Sequence, residues 1–322
     1  MGIVYLMFVA LVVVAAVGTA ILVHQLLHPP RKTFGTALAR GLPTDPGALG
    51  LSFSPCRFEL PDGHKTDGWQ IEGRDKEGPL VIFSHGWGDS RFGALTWVSL
   101  AAPHVSRIVV YDLRGHGDSP ASVCRLGTTE AWDLLAVMDQ LRPDGLEETQ
   151  DGAAAPGRPV VLWGHSMGAG VSIAAAALDA RHEAGVVHGV IADGACPTMA
   201  EPISGMMRSR RLPAFPFVFL AMRVLGLFLG NLGRHDRAAL AAQIRCPLLL
   251  LHGSADPFCS LRGAQRIADA ADEAHLVAIE GGTHSDLAQV DPGGYGAQIE
   301  SFLKRVDGDQ NSASPTPSGQ VA

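Results

Sequence analysis

The chain has 322 residues, 47% of them hydrophobic and 18% charged, enough for one large domain or two modest ones around a sizeable core. Its net charge of −7 leaves no broad basic face, which argues against nucleic acid as a partner. Cys56, Cys124, Cys196, Cys246 and Cys259 are odd in number and widely spaced, with no CxxC pair and no Cys/His metal spacing, so all five are expected to be free thiols without a catalytic part.

From Ile3 to Val23 every residue is apolar or small except Tyr5 and Thr19. Such a run is about what a helix needs to cross the roughly 30 Å hydrocarbon core of a bilayer. A cleavable signal peptide, with Gly18 and Ala20 as a small-x-small site, would want a basic start, and no Lys or Arg precedes Arg31. Residues 1–28 are therefore expected to form an uncleaved transmembrane anchor. Arg31, Lys32 and Arg40 follow it, and the positive-inside bias would hold that end, and the domain after it, in the cytoplasm.

Residues 29–51, rich in Pro and Gly, read as a juxtamembrane linker, and a folded domain is expected over 52–306. Two alternating segments around Pro61-Asp62-Gly63 predict a β-hairpin over 57–71. The pattern then changes to short apolar runs separated by helix-length segments: PLVIF (79–83), RIVVYD (107–112), PVVLW (159–163), VVHGVIAD (186–193), CPLLLLHG (246–253) and HLVAIE (275–280). Runs that are apolar on both faces predict an α/β architecture, a mostly parallel central sheet with helices on both sides. Residues 142–159 read as a solvated loop, and 307–322 as a disordered tail. Residues 197–245 are far too long for a simple crossover, and their Phe-, Leu- and Met-rich SRRLPAFPFVFLAMRVLGLFLG is either a buried helix pair or a lid over an apolar pocket.

Strand PVVLW runs into Gly164-His165-Ser166-Met167-Gly168 and then into the helical AGVSIAAAA. G-x-S-x-G between a strand and a helix is the pattern of a nucleophile elbow, a strained turn that lifts a serine hydroxyl out of the packing and sets it at a helix N-terminus. A serine needs a base, and the base a carboxylate to orient it. Of thirteen histidines, His284 follows the last apolar run, where post-strand loops reach the same sheet edge as the elbow. Asp256, just past LLLLHG, gives the chain order Ser, Asp, His; Asp193, at the end of VIAD, is the nearest competitor. The oxyanion donors should be the backbone N–H groups of Met167 and of Trp87, in the loop SHGWGDS.

HGWGDS, YDLRGHGDSP, GHSMGAG, LLLLHGSADPF and GGTHSDL, in that order over about residues 55–305, resemble the α/β-hydrolase family, most of all its monoacylglycerol lipases, lysophospholipases and carboxylesterases. The resemblance implies the α/β-hydrolase fold, acyl transfer from an ester at Ser166 with Asp256 and His284, and no cofactor or metal; the helical lid expected at about 197–245 matches no family motif. It assigns the Asp, Arg and His of YDLRGHGDSP, and Asp133, to structural roles. A lipid-like ester and the membrane are the expected partners; the same residues would also serve a thioester or an amide. A catalytically inactive binding protein on this fold is the reading from another class.

Overall fold

The computed structural model describes residues 1–120, 123–141, 158–181, 185–230 and 235–313. Nearly all of the 142–159 stretch and the tail beyond residue 313 lie outside the described residues.

Strands β1 (Phe53–Glu59) and β2 (Lys65–Glu72) form the expected antiparallel hairpin, pairing Phe53 with Ile71 and Glu59 with Lys65. The six apolar runs become β3 (Leu80–Ser84), β4 (Arg107–Tyr111), β5 (Val160–His165), β6 (Val187–Asp193), β7 (Leu248–Gly253) and β8 (Ala274–Ile279). They join one eight-stranded sheet in the order β1-β2-β4-β3-β5-β6-β7-β8, antiparallel only at β1/β2 and β2/β4. The chain leaves β3 toward β4 on one side and returns to β5 on the other. Strand order thus reverses between β3 and β5, the point at which the carboxyl ends of an open α/β sheet form a crevice.

Successive residues of the central strands enter opposite cores. Ile82, Val109, Leu162, Val190 and Leu250 face one side, and Val81, Ile108, Trp163, Ile191 and Leu249 the other. That two-sided burial is why these strands read as unbroken apolar runs. The first core is covered by α4 (Glu130–Leu141), α5 (Met167–Asp179), α8 (Arg237–Ala241) and α9 (Leu261–Ala268), and the second by α3 (Arg91–Ala101), the short α10 (Leu287–Val290) and α11 (Pro292–Ala313). Between β6 and α8 the chain inserts α6 (Ala200–Ser209) and α7 (Phe217–Phe228), whose Ile203, Met207, Val218, Ala221 and Leu225 pack onto the first core.

The N-terminal apolar run is one helix, α1 (Gly2–Leu27), and residues 2–14 are exposed throughout. It is not separate from the domain: Leu22 and Leu26 are buried in the first core, and Gly18 meets the ring of Phe217 on α7. The segment read as a linker is likewise laid on the body. Arg31 donates to the carbonyl of Ser119 at 2.6 Å, Lys32 pairs with Asp89 at 2.9 Å, and the short helix α2 (Phe34–Ala39) starts on a Thr33 cap and sets Phe34 edge-on to Phe92. Two of the three charges expected to follow the anchor, Arg31 and Lys32, are thus partners of the fold.

Candidate active site

The loop between β5 and α5 is built from glycines for steric reasons. A Cβ on Gly164 would collide with the carbonyl of Gly168, and one on Gly168 with the carbonyl of Ser84 on β3. Between them Ser166 adopts φ +54°, a region that costs a non-glycine residue about 1–3 kcal/mol and persists only when the surroundings impose it. Here β6 and α5 impose it: the Ser166 N–H donates to the Asp193 carbonyl at 2.7 Å, and α5 behind it is almost wholly buried.

Ser166, at the N-cap of α5, meets His284, from the loop after β8, and Asp256, from the loop after β7. Ser166 Oγ is 2.7 Å from His284 Nε2, and His284 Nδ1 is 2.6 Å from Asp256 Oδ2. A carboxylate only accepts, so Nδ1–H donates to Asp256 and Nε2 is left to accept the serine proton. Burial opposes ionisation of Asp256, but the bond to His284 and two amides, Phe258 N–H at 2.8 Å and Cys259 N–H at 3.0 Å, outweigh it and hold its carboxyl below the ordinary value. His165 Nε2–H donates to the His284 carbonyl at 2.9 Å, and the Phe258 ring stands edge-on to His284 at 5.2 Å. Both neighbours fix the imidazole's loop and plane.

The competing carboxylates are engaged elsewhere. Asp193 Oδ2 accepts from Trp97 Nε1–H at 3.0 Å and Tyr295 O–H at 2.5 Å, on the far side of the sheet. Asp286 accepts the Thr283 amide at 2.6 Å. Arg114 joins Asp133 at 2.7 and 2.9 Å and also pairs with Asp62, while Asp112 holds the Arg91 and Asp118 amides, which makes all of them loop-shaping groups. His188 takes the Val160 amide at 3.1 Å, and His182 lies outside the described residues.

The Met167 amide is the first of α5 and so has no intrahelical acceptor. The loop carrying Trp87 lies against it: a Cβ on Gly86 would be 3.4 Å from Ser166 Cβ. Both Trp87 and Met167 line a cavity of about 300 Å³ with Ser166 and His284. Its other walls are mainly apolar and include Leu126, Ile203, Met206 and Phe258, with Leu26 of α1 closing one side. Trp87 Nε1–H donates to the Leu26 carbonyl at 3.0 Å, tying the last turn of α1 to the loop after β3.

The expectation of five free thiols is corrected here, because Cys196 and Cys259 form a disulfide. They are 63 residues apart, but β6 and β7 are sheet neighbours, so the loops that leave them lie side by side. Cys56, Cys124 and Cys246 are free. Asp256, Cys259 and His284 cluster closely enough to suggest a metal site, yet the Cys259 sulfur is committed to the disulfide and both His284 nitrogens to the serine and aspartate.

A family model described as the alpha/beta hydrolase family matches residues 81–297, a stretch that contains Ser166, Asp256, His284, Trp87 and Met167. The chain belongs to the α/β-hydrolase family. Protein phosphatase methylesterase 1 of Mus musculus is 33% identical over 115 residues, 34% of this chain and 27% of that protein. Lysophosphatidylserine lipase ABHD12 of Xenopus tropicalis is 28% identical over 198 residues, 59% of this chain and 46% of that one. The chain thus spans less than half the length of these curated relatives. Among solved structures, the esterase Pf2001 of Pyrococcus furiosus superposes with a TM-score of 0.65 at 21% identity, over 86% of this chain and 98% of that one, which establishes likeness of fold.

Sequence reasoning missed part of the cavity wall. Leu26 is hidden in a run that reads only as an anchor, and Arg237 and Cys196 belong to no motif. They reach the cavity only because the ends of α1, β6 and β7 converge on one sheet edge.

Proposed function

We propose that this hydrolase is a membrane-anchored serine esterase that cleaves a lipid-like carboxylic ester through an acyl-enzyme intermediate. The observation that carries the reading is the hydrogen-bonded chain Ser166–His284–Asp256 at the floor of a largely apolar cavity. In the first step Ser166 Oγ attacks the ester carbonyl carbon while its proton passes to His284 Nε2, and Asp256 stabilises the imidazolium. The amides of Met167 and Trp87 take the charge that develops on the carbonyl oxygen. Collapse breaks the C–O bond, and His284 protonates the departing alcohol. Water then enters, gives its proton to His284 and attacks the acyl carbon, freeing the acid and restoring Ser166 Oγ–H. The same steps would cleave an amide. The apolar cavity, and relatives named for a methylesterase and a lysophosphatidylserine lipase, favour the ester.

The anchor is α1, a predominantly apolar helix of 26 residues that extends about 39 Å at 1.5 Å per residue. Its last turn is a wall of the cavity, so a substrate drawn from the membrane would meet Ser166 a short step from the bilayer.

The test is hydrolysis of a medium-chain p-nitrophenyl ester together with labelling by a fluorophosphonate, which reacts only with an activated serine. Ser166→Ala should abolish labelling and lower turnover by at least about a thousandfold, with His284→Ala nearly as severe. Wild-type protein that takes up no label would instead be a binding protein on a hydrolase fold.

A further inference from the structure

The apolar cavity contains a charge that the ester chemistry does not use. Arg237, at the start of α8, lines it with Ser166 and His284 yet is only 4% exposed. A guanidinium offers five N–H donors. Arg237 Nη1 donates to the carbonyl of His235, two residues away, at 2.9 Å, and Nη2 lies 2.8 Å from Met199 Sδ, a weak acceptor. Among the described residues Arg237 forms no ion pair. The carboxylates whose charge it feels are Asp236 and Glu130, and both are occupied. Asp236 binds Arg266 and the amides of Ala238 and Ala239; Glu130 binds the amides of Arg125 and Gly127. Burial pulls the Arg237 pKa down to about 10, so the group is charged at neutral pH.

A buried, unpaired guanidinium is expensive, and an aliphatic side chain would fill the same space at lower cost. Among the described residues its one side-chain bond to a carbonyl is local and pins no distant strand, so packing alone does not explain it. The site is also sterically prepared. Gly170 on α5 leaves the room, since a Cβ there would stand 2.7 Å from Arg237 Nε. A second cation, Arg210, follows α6 on the same cavity and is exposed. It too forms no ion pair among the described residues. Two arginines, one buried and one exposed, on an otherwise apolar cavity match an amphiphile with an anion at one end, because the planar fork of arginine pairs with phosphate or carboxylate oxygens.

We propose that Arg237 and Arg210 form an anion subsite, so that the ester cleaved at Ser166 carries a phosphate or carboxylate in its alcohol part while its acyl chain lies on the apolar walls. This assignment rests on the ester reading above and names the substrate class for it.

The test uses full-length protein in one neutral detergent and measures equilibrium binding of three ligands that lack a scissile ester: 1-O-decylglycerol 3-phosphate, 1-O-decylglycerol, and glycerol 3-phosphate. The phosphate ether should bind at least about tenfold more tightly than the neutral ether, the effect of one or two charge-assisted hydrogen bonds. Glycerol 3-phosphate, without a tail, should bind more weakly than either. Arg210→Gln and Arg237→Gln should each reduce the ratio between the two ethers to about threefold or less. Equal binding of both ethers by the wild type overturns the proposal, as does a ratio that survives both substitutions. Glycerol 3-phosphate binding as tightly as the phosphate ether also overturns it, since the site would then hold a free phosphate ester and no lipid. If Arg237→Gln does not fold, the wild-type ratio and Arg210→Gln decide. None of the ligands is hydrolysed, so failure of the ester reading appears separately, as an unlabelled Ser166 in a protein that still prefers the phosphate.

Discussion

His116 sits fully buried in the loop after β4, its Nδ1–H donating to the Arg114 carbonyl at 2.8 Å and its ring edge-on to His85 at 5.1 Å. Burial pulls its pKa down to about 3, with the nearby His85 and Arg31 adding to the effect. An unfolded imidazole titrates near 6.5. Between those values the unfolded chain binds a proton that the folded chain refuses, so this contribution to stability is intact above about pH 6.5 and is lost as pH falls toward 3. His116→Gln removes it. The slope of unfolding free energy against pH should be shallower in the variant by up to about 1.4 kcal/mol per pH unit between pH 6 and 4, measured by urea titration. At this scale the elbow residues were legible, because Gly164, Ser166 and Gly168 answer to local sterics that a short motif records. The carboxylate was narrowed by chain order, and only the far-side bonds of Asp193 to Trp97 and Tyr295 exclude it as the partner of His284.

Strand β6 does two jobs at its carboxyl end. Its last carbonyl holds the Ser166 amide, and the Asp193 side chain bolts the strand to α3 through Trp97 and to α11 through Tyr295. Among the described residues Asp193 Oδ1 has no partner, so the carboxylate depends on the two bonds at Oδ2. Tyr295→Phe should therefore cost about 1–3 kcal/mol of stability, read by urea unfolding, while the chain keeps its fold. The strands themselves were legible as runs, since burial on both faces removes the alternation that would otherwise make them ambiguous. The helices between β6 and β7 were legible only as an insertion. An apolar helix reads the same whether it covers a core or a cavity, and α7 packs Val218, Ala221 and Leu225 inward while leaving Phe219, Leu227 and Phe228 exposed.

At the scale of the whole molecule the cytoplasmic placement expected from Arg31, Lys32 and Arg40 meets a competing signal. Two of these charges are bonded to the domain, and a disulfide such as Cys196–Cys259 persists in oxidising compartments. Protein isolated from its native cells, denatured without reductant and treated with a maleimide should take up three labels, and five after reduction. Five labels without reductant would return the domain to the cytoplasmic side.

By itself the sequence determined the sheet, the elbow and the order of Ser166, Asp256 and His284, because each depends on local periodicity, on a tight turn or on chain order within a parallel sheet. Tertiary structure decided what surrounds them. The end of α1 became a cavity wall, two distant cysteines became neighbours, and Arg237 was left charged beside the serine with no ion-pair partner among the described residues. Those relations join residues far apart in the chain, and no local pattern encodes them; they follow from strand order and from which surfaces the remaining helices had to cover.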